Sequence, residues 1–234
     1  MTREGAVNAG RPLAVVFLDG EYVGPAWHRA LAARAALVLA ADGGAGFLAD
    51  IGVRPDAVVG DFDSLDPAVA ARLAADGVEF VRHPVRKDFT DGELAVEEAL
   101  RRGAGEVLLA GATGALDHTL GHLAILRRLT ARGVAARLVA PGLTAAVLAA
   151  PASVELTAVA GTRVSLVPLG GAATVTLTGL DYPLDRGVLP ADACLGLGNH
   201  VSADGAAAIV VHDGVVAALV EADEGFGSTA GQPQ

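Results

Sequence analysis

Cysteine is almost missing from this sequence: Cys194 stands alone among 234 residues. A single thiol excludes an internal disulfide framework and any metal cluster built from thiolates, and it fits a reducing, cytoplasmic setting. Positive charge is scarce too. Seventeen Lys and Arg face 27 Asp and Glu, a formal net charge of −10, with a pI near 4.9. Such a chain lacks the basic footprint that nucleic acid requires, and an anionic membrane surface repels it. Lysine itself occurs once, as Lys87. Long hydrophobic runs are also lacking. Leu13 to Leu18 is short and ends at Asp19-Gly20, so it does not have a secretory layout. The greasiest later stretch, Leu138 to Val154, is broken by Pro141, Gly142 and Pro151 and makes a poor membrane span. No Walker loop, no GxGxxG after the first strand and no internal repeat is found.

Apolar residues are plentiful, at 52% against 19% charged, which is the composition of a globular chain. Short apolar runs at Leu13–Leu18, Leu37–Ala41, Ala57–Val59, Val78–Val81, Val107–Ala110 and Ala136–Val139 read as strands buried on both faces. Helical stretches at Pro25–Ala36, Pro67–Ala75, Asp91–Arg102 and Asp117–Arg132 lie between them, with Leu120, Leu123, Ala124 and Leu126 forming a helix face. This alternation predicts an α/β domain over 12–150, doubly wound around a mainly parallel sheet. After Pro151 the texture changes. Val154–Val159, Arg163–Val167, Thr174–Thr178, Ala206–Val211 and Val215–Val220 are strand-like runs without intervening helices, which predicts a smaller β-sandwich over 151–224. Residues 225–234, rich in Gly, Ser and Gln, read as a flexible tail.

Polar residues gather just after the strands, where open α/β sheets bind their ligands. Asp42-Gly43-Gly44 follows the second strand, Gly60-Asp61-Phe62-Asp63-Ser64 the third, and Gly111-Ala112-Thr113-Gly114 the fifth. Lys87-Asp88-Phe89-Thr90-Asp91 opens a helix after the fourth. Asp61 and Asp63, at alternate positions leaving a strand, can point the same way and then need a cation between them. Magnesium suits such a pair, because it takes a few carboxylates and completes its shell with water and phosphates. A polar turn, with Asp61 as a helix cap, accounts for the same two residues. Lys87, beside Asp88, Thr90 and Asp91, can meet a phosphate while a carboxylate meets the metal; equally, Thr90 and Glu93 have the spacing of a capping box. The glycine turns allow backbone to approach a ligand closely, or are simply tight turns. Asp117 and His118 are neighbours on a helix and do not face each other. His118 and His122 lack a third ligand for zinc, and Ser64 and Ser202 lack a base for hydrolase chemistry.

Taken together, Asp42-Gly43-Gly44-Ala45, Gly60-Asp61-Phe62-Asp63-Ser64-Leu65, Lys87-Asp88-Phe89-Thr90-Asp91-Gly92-Glu93 and Gly111-Ala112-Thr113-Gly114 with Leu116-Asp117-His118-Thr119-Leu120 resemble the thiamine pyrophosphokinases in order and spacing. Val164-Ser165-Leu166-Val167-Pro168-Leu169 and the Gly179-Leu180-Asp181-Tyr182-Pro183-Leu184 turn are similar to that family's β-domain. The resemblance implies transfer of a diphosphate group from ATP to the hydroxyl of thiamine, with AMP leaving. It implies Mg2+ held by Asp61, Asp63 and Asp91, with Lys87 assisting. ATP contacts fall on Asp42, Gly43, Gly44, Asp88, Thr90, Gly111, Thr113 and Gly114. Thiamine contacts fall on Asp117, His118, Gly198, Asn199 and His200. It also implies a homodimer with composite sites. Three features depart from the pattern: Gly114-Ala115-Leu116 holds no arginine before Asp117, Gly198-Asn199 replaces a Ser-Asn pair, and the one tryptophan, Trp27, is early rather than late. The competing expectations are a pyrophosphokinase for another hydroxymethyl heterocycle, such as a pterin, and a nucleotide- or thiamine-binding regulator without catalysis.

Overall fold

The computed structural model of the chain describes residues 11–84, 88–203 and 206–227. They form two compact units: Arg11–Ile125 with Val134–Pro141, and Leu126–Gly133 with 142–227.

The first unit is α/β. Its strands are β1 (Leu13–Phe17), β2 (Leu37–Ala41), β3 (Ala57–Gly60), β4 (Glu79–Arg82), β5 (Glu106–Ala110) and β6 (Ala135–Ala140). They stand in the order β6-β5-β1-β2-β3-β4, and every pairing is parallel. Four of the five residues in each of β1, β2 and β5 are buried, as unbroken apolar runs covered on both faces require. The helices are α1 (Pro25–Ala32), α2 (Gly44–Asp50), α3 (Pro67–Ala75), α4 (Asp91–Arg101) and α5 (Leu116–Ala131), whose last residues belong to the second unit. Local chemistry sets their starts. Asp66 caps α3 by accepting from Ala68 N and Val69 N, with Pro67 at the first helical position. Thr90 and Glu93 form the expected capping box on α4. That cap matters for the site, since it fixes where Asp91 begins the helix, and α4 packs across β1, β2 and β3.

The second unit is antiparallel. Its strands are β7 (Leu143–Ala149), β8 (Ala152–Leu156), β9 (Arg163–Pro168), β10 (Ala173–Thr178), β11 (Leu184–Leu189), β12 (Asn199–His200), β13 (Ala207–Asp213) and β14 (Val215–Val220). Within the unit they run β12-β9-β14-β7 and β11-β10-β13-β8. Val164, Leu166, Val216 and Val220 from the first set pack with Val154, Val175, Leu177 and Ile209 from the second. The composition shift at Pro151 lies inside this unit rather than at its edge. The physical reason is β7, which pairs with β14 from Val220↔Thr144 to Val215↔Ala149.

The expected tail from 225 begins tied down. Phe226 is buried and bridges to Leu156, and Gly227 N donates to Glu155 O at 2.8 Å. No helix among the described residues is long and apolar enough to cross a membrane.

Candidate active site

Three carboxylates converge where β2, β3 and α4 present their ends. Asp42, Asp61 and Asp91 offer oxygens that all lie within 4.8 Å of one another. Asp42 leaves β2 in a left-handed conformation, φ 42°, with its N–H on Val59 O at 3.1 Å. It is buried, at 6% exposure. One of its carboxylate oxygens accepts from the Ser64 hydroxyl. The other, Oδ1, is buried with no partner among the described residues. A buried carboxylate oxygen left unpaired beside two further carboxylates is costly unless a cation completes the group. A hard, oxygen-seeking divalent ion such as Mg2+ fits this donor set.

Gly60 makes the convergence possible. At φ 154°, a Cβ there would stand 3.0 Å from Asp91 Oδ1 and 3.3 Å from Asp42 Cβ. Only a residue without a side chain lets β3 end this close to both acids.

Asp63 stands beside this trio rather than in it. It is exposed, and its N–H turns back to Asp61 Oδ1 at 3.2 Å. The Asp61 carboxylate, with smaller contributions from Asp42 and Asp91, raises the Asp63 pKa above the ordinary carboxylate value. Asp61 and Asp63 do stand close to each other, although the Phe62 between them is left-handed, φ 69°, and not in regular strand conformation.

The other expected contacts are distributed around this corner. Thr90 spends its hydroxyl on the cap, accepting from Glu93 N and bonding Glu93 Oε2, both at 3.2 Å. Asp88 is exposed, and Lys87 lies outside the described residues. A Cβ on Gly43 would come within 2.3 Å of Asp19 Oδ1, so this turn and the end of β1 are packed backbone against side chain. Gly44 opens α2. Asp19 is a residue that the motif reading passed over. Its signal was in the sequence, an Asp-Gly that follows the first apolar run, Leu13 to Leu18, as Asp42-Gly43 follows the second, Leu37 to Ala41.

Loop 111–114 is held from two sides. Glu21 N donates to Thr113 O at 3.0 Å, and His122 Nδ1 contacts Ala112 O at 2.8 Å, which requires the Nδ1–H tautomer. Burial lowers the His122 pKa. The Tyr22 ring lies over Gly111 and stacks on Phe47 at 3.7 Å; burial, with Asp19 nearby, pushes its phenol well above the usual range. Gly114, Asp117 and His118 are exposed, and Asp117 Oδ1 accepts from His118 N at 2.9 Å.

Within the β unit, Gly198, Asn199 and His200 are consecutive around β12. Gly198 N donates to Ser165 Oγ at 3.1 Å. Asn199 is buried and holds the backbone of Tyr182, while the Tyr182 side of that turn is exposed. Tyr182 is the second residue that the motif reading did not single out as a contact; its place in the Gly179–Leu184 turn was the available signal.

Two family models match in series along the chain: "Thiamin pyrophosphokinase, catalytic domain" over residues 28–138 and "Thiamin pyrophosphokinase, vitamin B1 binding domain" over 153–216. The chain belongs to the thiamin pyrophosphokinase family. Solved structures agree at the level of fold. Thiamine pyrophosphokinase from Bacillus subtilis is 22% identical, covering 90% of this chain and 99% of its own, with a TM-score of 0.77. The Candida albicans enzyme is 15% identical, covers 91% and 90%, and has a TM-score of 0.80. The yeast enzyme is 16% identical over 92% and 87%, with a TM-score of 0.77. No curated protein matches the sequence. The activity that goes with the two matched domains is formation of thiamine diphosphate from ATP and thiamine, so the chain is an enzyme of the thiamine diphosphokinase type.

Proposed function

We propose that this enzyme works with Mg2+ held by Asp42, Asp61 and Asp91, with Asp63 as a fourth carboxylate facing the bound phosphates. The observation that carries the assignment is the buried, unpartnered Oδ1 of Asp42 inside a three-carboxylate cluster. Magnesium held there would supply positive charge against that of the ATP phosphates. The chain's own residues do the rest by alignment. Thr90 and Glu93 hold the start of α4, and with it Asp91, while Gly60 keeps β3 close to both neighbouring acids. Lys87, in the segment before α4, is assigned to the ATP phosphates, as are the backbone groups of 43–44 and 111–114. The thiamine hydroxyl attacks the β-phosphorus and gives up its proton to solvent, the new oxygen–phosphorus bond forms, and the bond from the β-phosphorus to the α-phosphate oxygen breaks to release AMP. No covalent intermediate on the protein is needed.

For thiamine, the exposed ring of Tyr182 supplies a flat face, His200 a second ring, and Asn199 the support beneath them. Asp117 and His118 are assigned to the same substrate. The enzyme is further proposed to be a cytoplasmic homodimer in which each site takes its acids from one copy and its thiamine contacts from the other. Supporting this are apolar side chains in solvent in both units: Leu116 and Leu120 on α5, and Tyr182, Leu195 and Leu197 in the β unit.

One assay tests the chemistry: AMP release measured with thiamine, with a hydroxymethyl pterin and with no acceptor, each with and without Mg2+. Release that needs both thiamine and Mg2+ is expected. Faster release with the pterin reassigns the acceptor, and release without Mg2+ removes the metal from the reading. Mixing Asp61→Asn copies with Tyr182→Ala copies tests the composite site, because a mixed dimer regains one intact site.

A further inference from the structure

Arg82 takes no part in the reading above, yet it touches the turn on which the acidic cluster depends. Strand β4 is the edge strand of the α/β unit, and its register sets Arg82 opposite Gly60. The next residue reinforces that register, since His83 N donates to Gly60 O at 2.8 Å. From this position Arg82 Nη1 donates to the carbonyl oxygen of Asp61 at 3.0 Å. Its guanidinium carbon also lies 4.7 Å from the centre of the Phe62 ring. That ring meets Phe80, one residue before Val81 on the same strand, edge to face at 5.2 Å.

The turn so held is an unusual one. Phe62 adopts φ 69°, a conformation that bulky side chains avoid. It directly follows Asp61, whose carboxylate meets those of Asp42 and Asp91, and precedes the exposed Asp63. A left-handed phenylalanine persists only where its surroundings hold it. Arg82 supplies two of the holds, a hydrogen bond to the peptide and a cation–π contact to the ring. A planar guanidinium donates from its edge while its face covers the ring, a division of labour that a compact ammonium lacks.

We infer that Arg82 is a positioning residue for the metal site, clamping the Asp61–Phe62 peptide so that the Asp61 carboxylate is already in ligand position before a cation arrives. The inference rests on the assignment of Asp42, Asp61 and Asp91 as the metal-binding group, and the test keeps the two apart. Mn2+ binding to the full chain without nucleotide is measured by calorimetry for wild type, Asp61→Asn, Arg82→Ala and Arg82→Lys, alongside KM for thiamine. Arg82→Ala and Arg82→Lys should each weaken Mn2+ by about tenfold and leave KM for thiamine unchanged. In a Phe62→Gly background the same Arg82→Ala change should cost no more than about twofold, because glycine takes the left-handed turn without a clamp. Wild-type Mn2+ affinity in Arg82→Lys, or an undiminished Arg82→Ala effect in the Phe62→Gly background, overturns the clamp. If Arg82→Ala does not fold, Arg82→Lys decides alone. Loss of Mn2+ binding in Asp61→Asn but not in the Arg82 variants leaves the metal site standing and removes only the clamp. Retention in Asp61→Asn removes both.

Discussion

A single carboxamide serves both polar groups of one peptide residue: Asn199 Oδ1 accepts from Tyr182 N at 3.0 Å, and Asn199 Nδ2 donates to Tyr182 O at 2.8 Å. The same oxygen also takes the His200 N–H at 2.9 Å. With its carbonyl oxygen accepting twice and one amide N–H donated inside the protein, Asn199 acts on a ligand chiefly through what it holds. Asn199→Ala should therefore lose roughly 1–3 kcal/mol of stability, the cost of stranding buried backbone groups. It should also raise KM for thiamine and leave Mn2+ affinity alone. Chemical denaturation and steady-state kinetics read these separately.

The three clustered acids repel each other when no cation is bound. Asp61→Asn should accordingly raise the melting temperature of the metal-free protein while lowering activity by on the order of a hundredfold or more. Adding Mg2+ should shift the wild-type melting temperature upward and the variant's hardly at all. Differential scanning fluorimetry across a Mg2+ series checks the melting temperatures, and AMP release with thiamine checks the activity.

Gly60→Ala asks a sharper question of the same corner. Its added methyl would press on Asp91 Oδ1 and Asp42 Cβ, in a backbone conformation that alanine disfavours. A loss of about 1–3 kcal/mol together with at least tenfold weaker Mn2+ binding is expected, measured by urea denaturation and calorimetry.

A pH dependence comes from the C-terminal end of α4. Glu98 is buried and accepts from Arg101 at 2.7 and 2.6 Å and from Arg102 at 2.6 Å. The Arg101 hydrogen bonds foremost, with Arg102, lower its pKa below the usual 4.5, against an opposing effect of burial. A depressed carboxyl contributes stability that is fully present above 4.5 and is lost as pH falls through the lower folded value. Glu98→Gln should cost about 1 kcal/mol at pH 7 and flatten the stability curve below pH 4.5. Urea midpoints at a series of pH values test the sign.

Much of this architecture could be read before any coordinates. Buried parallel strands announce themselves as short apolar runs, and α3 and α4 carry their own caps in Asp66 and Thr90. What escaped notice is physically weaker in the chain. Helix α2 opens Gly-Ala-Gly and has no side-chain cap, so it owes its existence to packing. Strand β11 contains Asp185, Arg186 and Gly187 and is largely exposed at a sheet edge, where alternation is not enforced. The site was legible as a set of motifs but not as a geometry. Alternation made Asp61 and Asp63 partners, but the left-handed residue between them is a backbone event that a phenylalanine does not advertise. Asp42 reached the cluster through the pairing of β2 with β3, a non-local relation that no spacing within one motif contains.

The aromatic corner of the α/β unit also decides how this protein will look in a spectrometer. Trp27, the sole indole, stands edge-on to the buried His28 ring at 4.9 Å, and both lie in α1. Tyr22 is nearby on Phe47 and His28, whereas the remaining tyrosine, Tyr182, belongs to the β unit and is exposed. Emission excited at the tryptophan edge therefore reports from one unit alone, while the β unit is silent in that channel. Unfolding followed by tryptophan fluorescence and by far-ultraviolet circular dichroism will coincide only if the two units melt together, so the native chain already carries the label needed to measure their cooperativity.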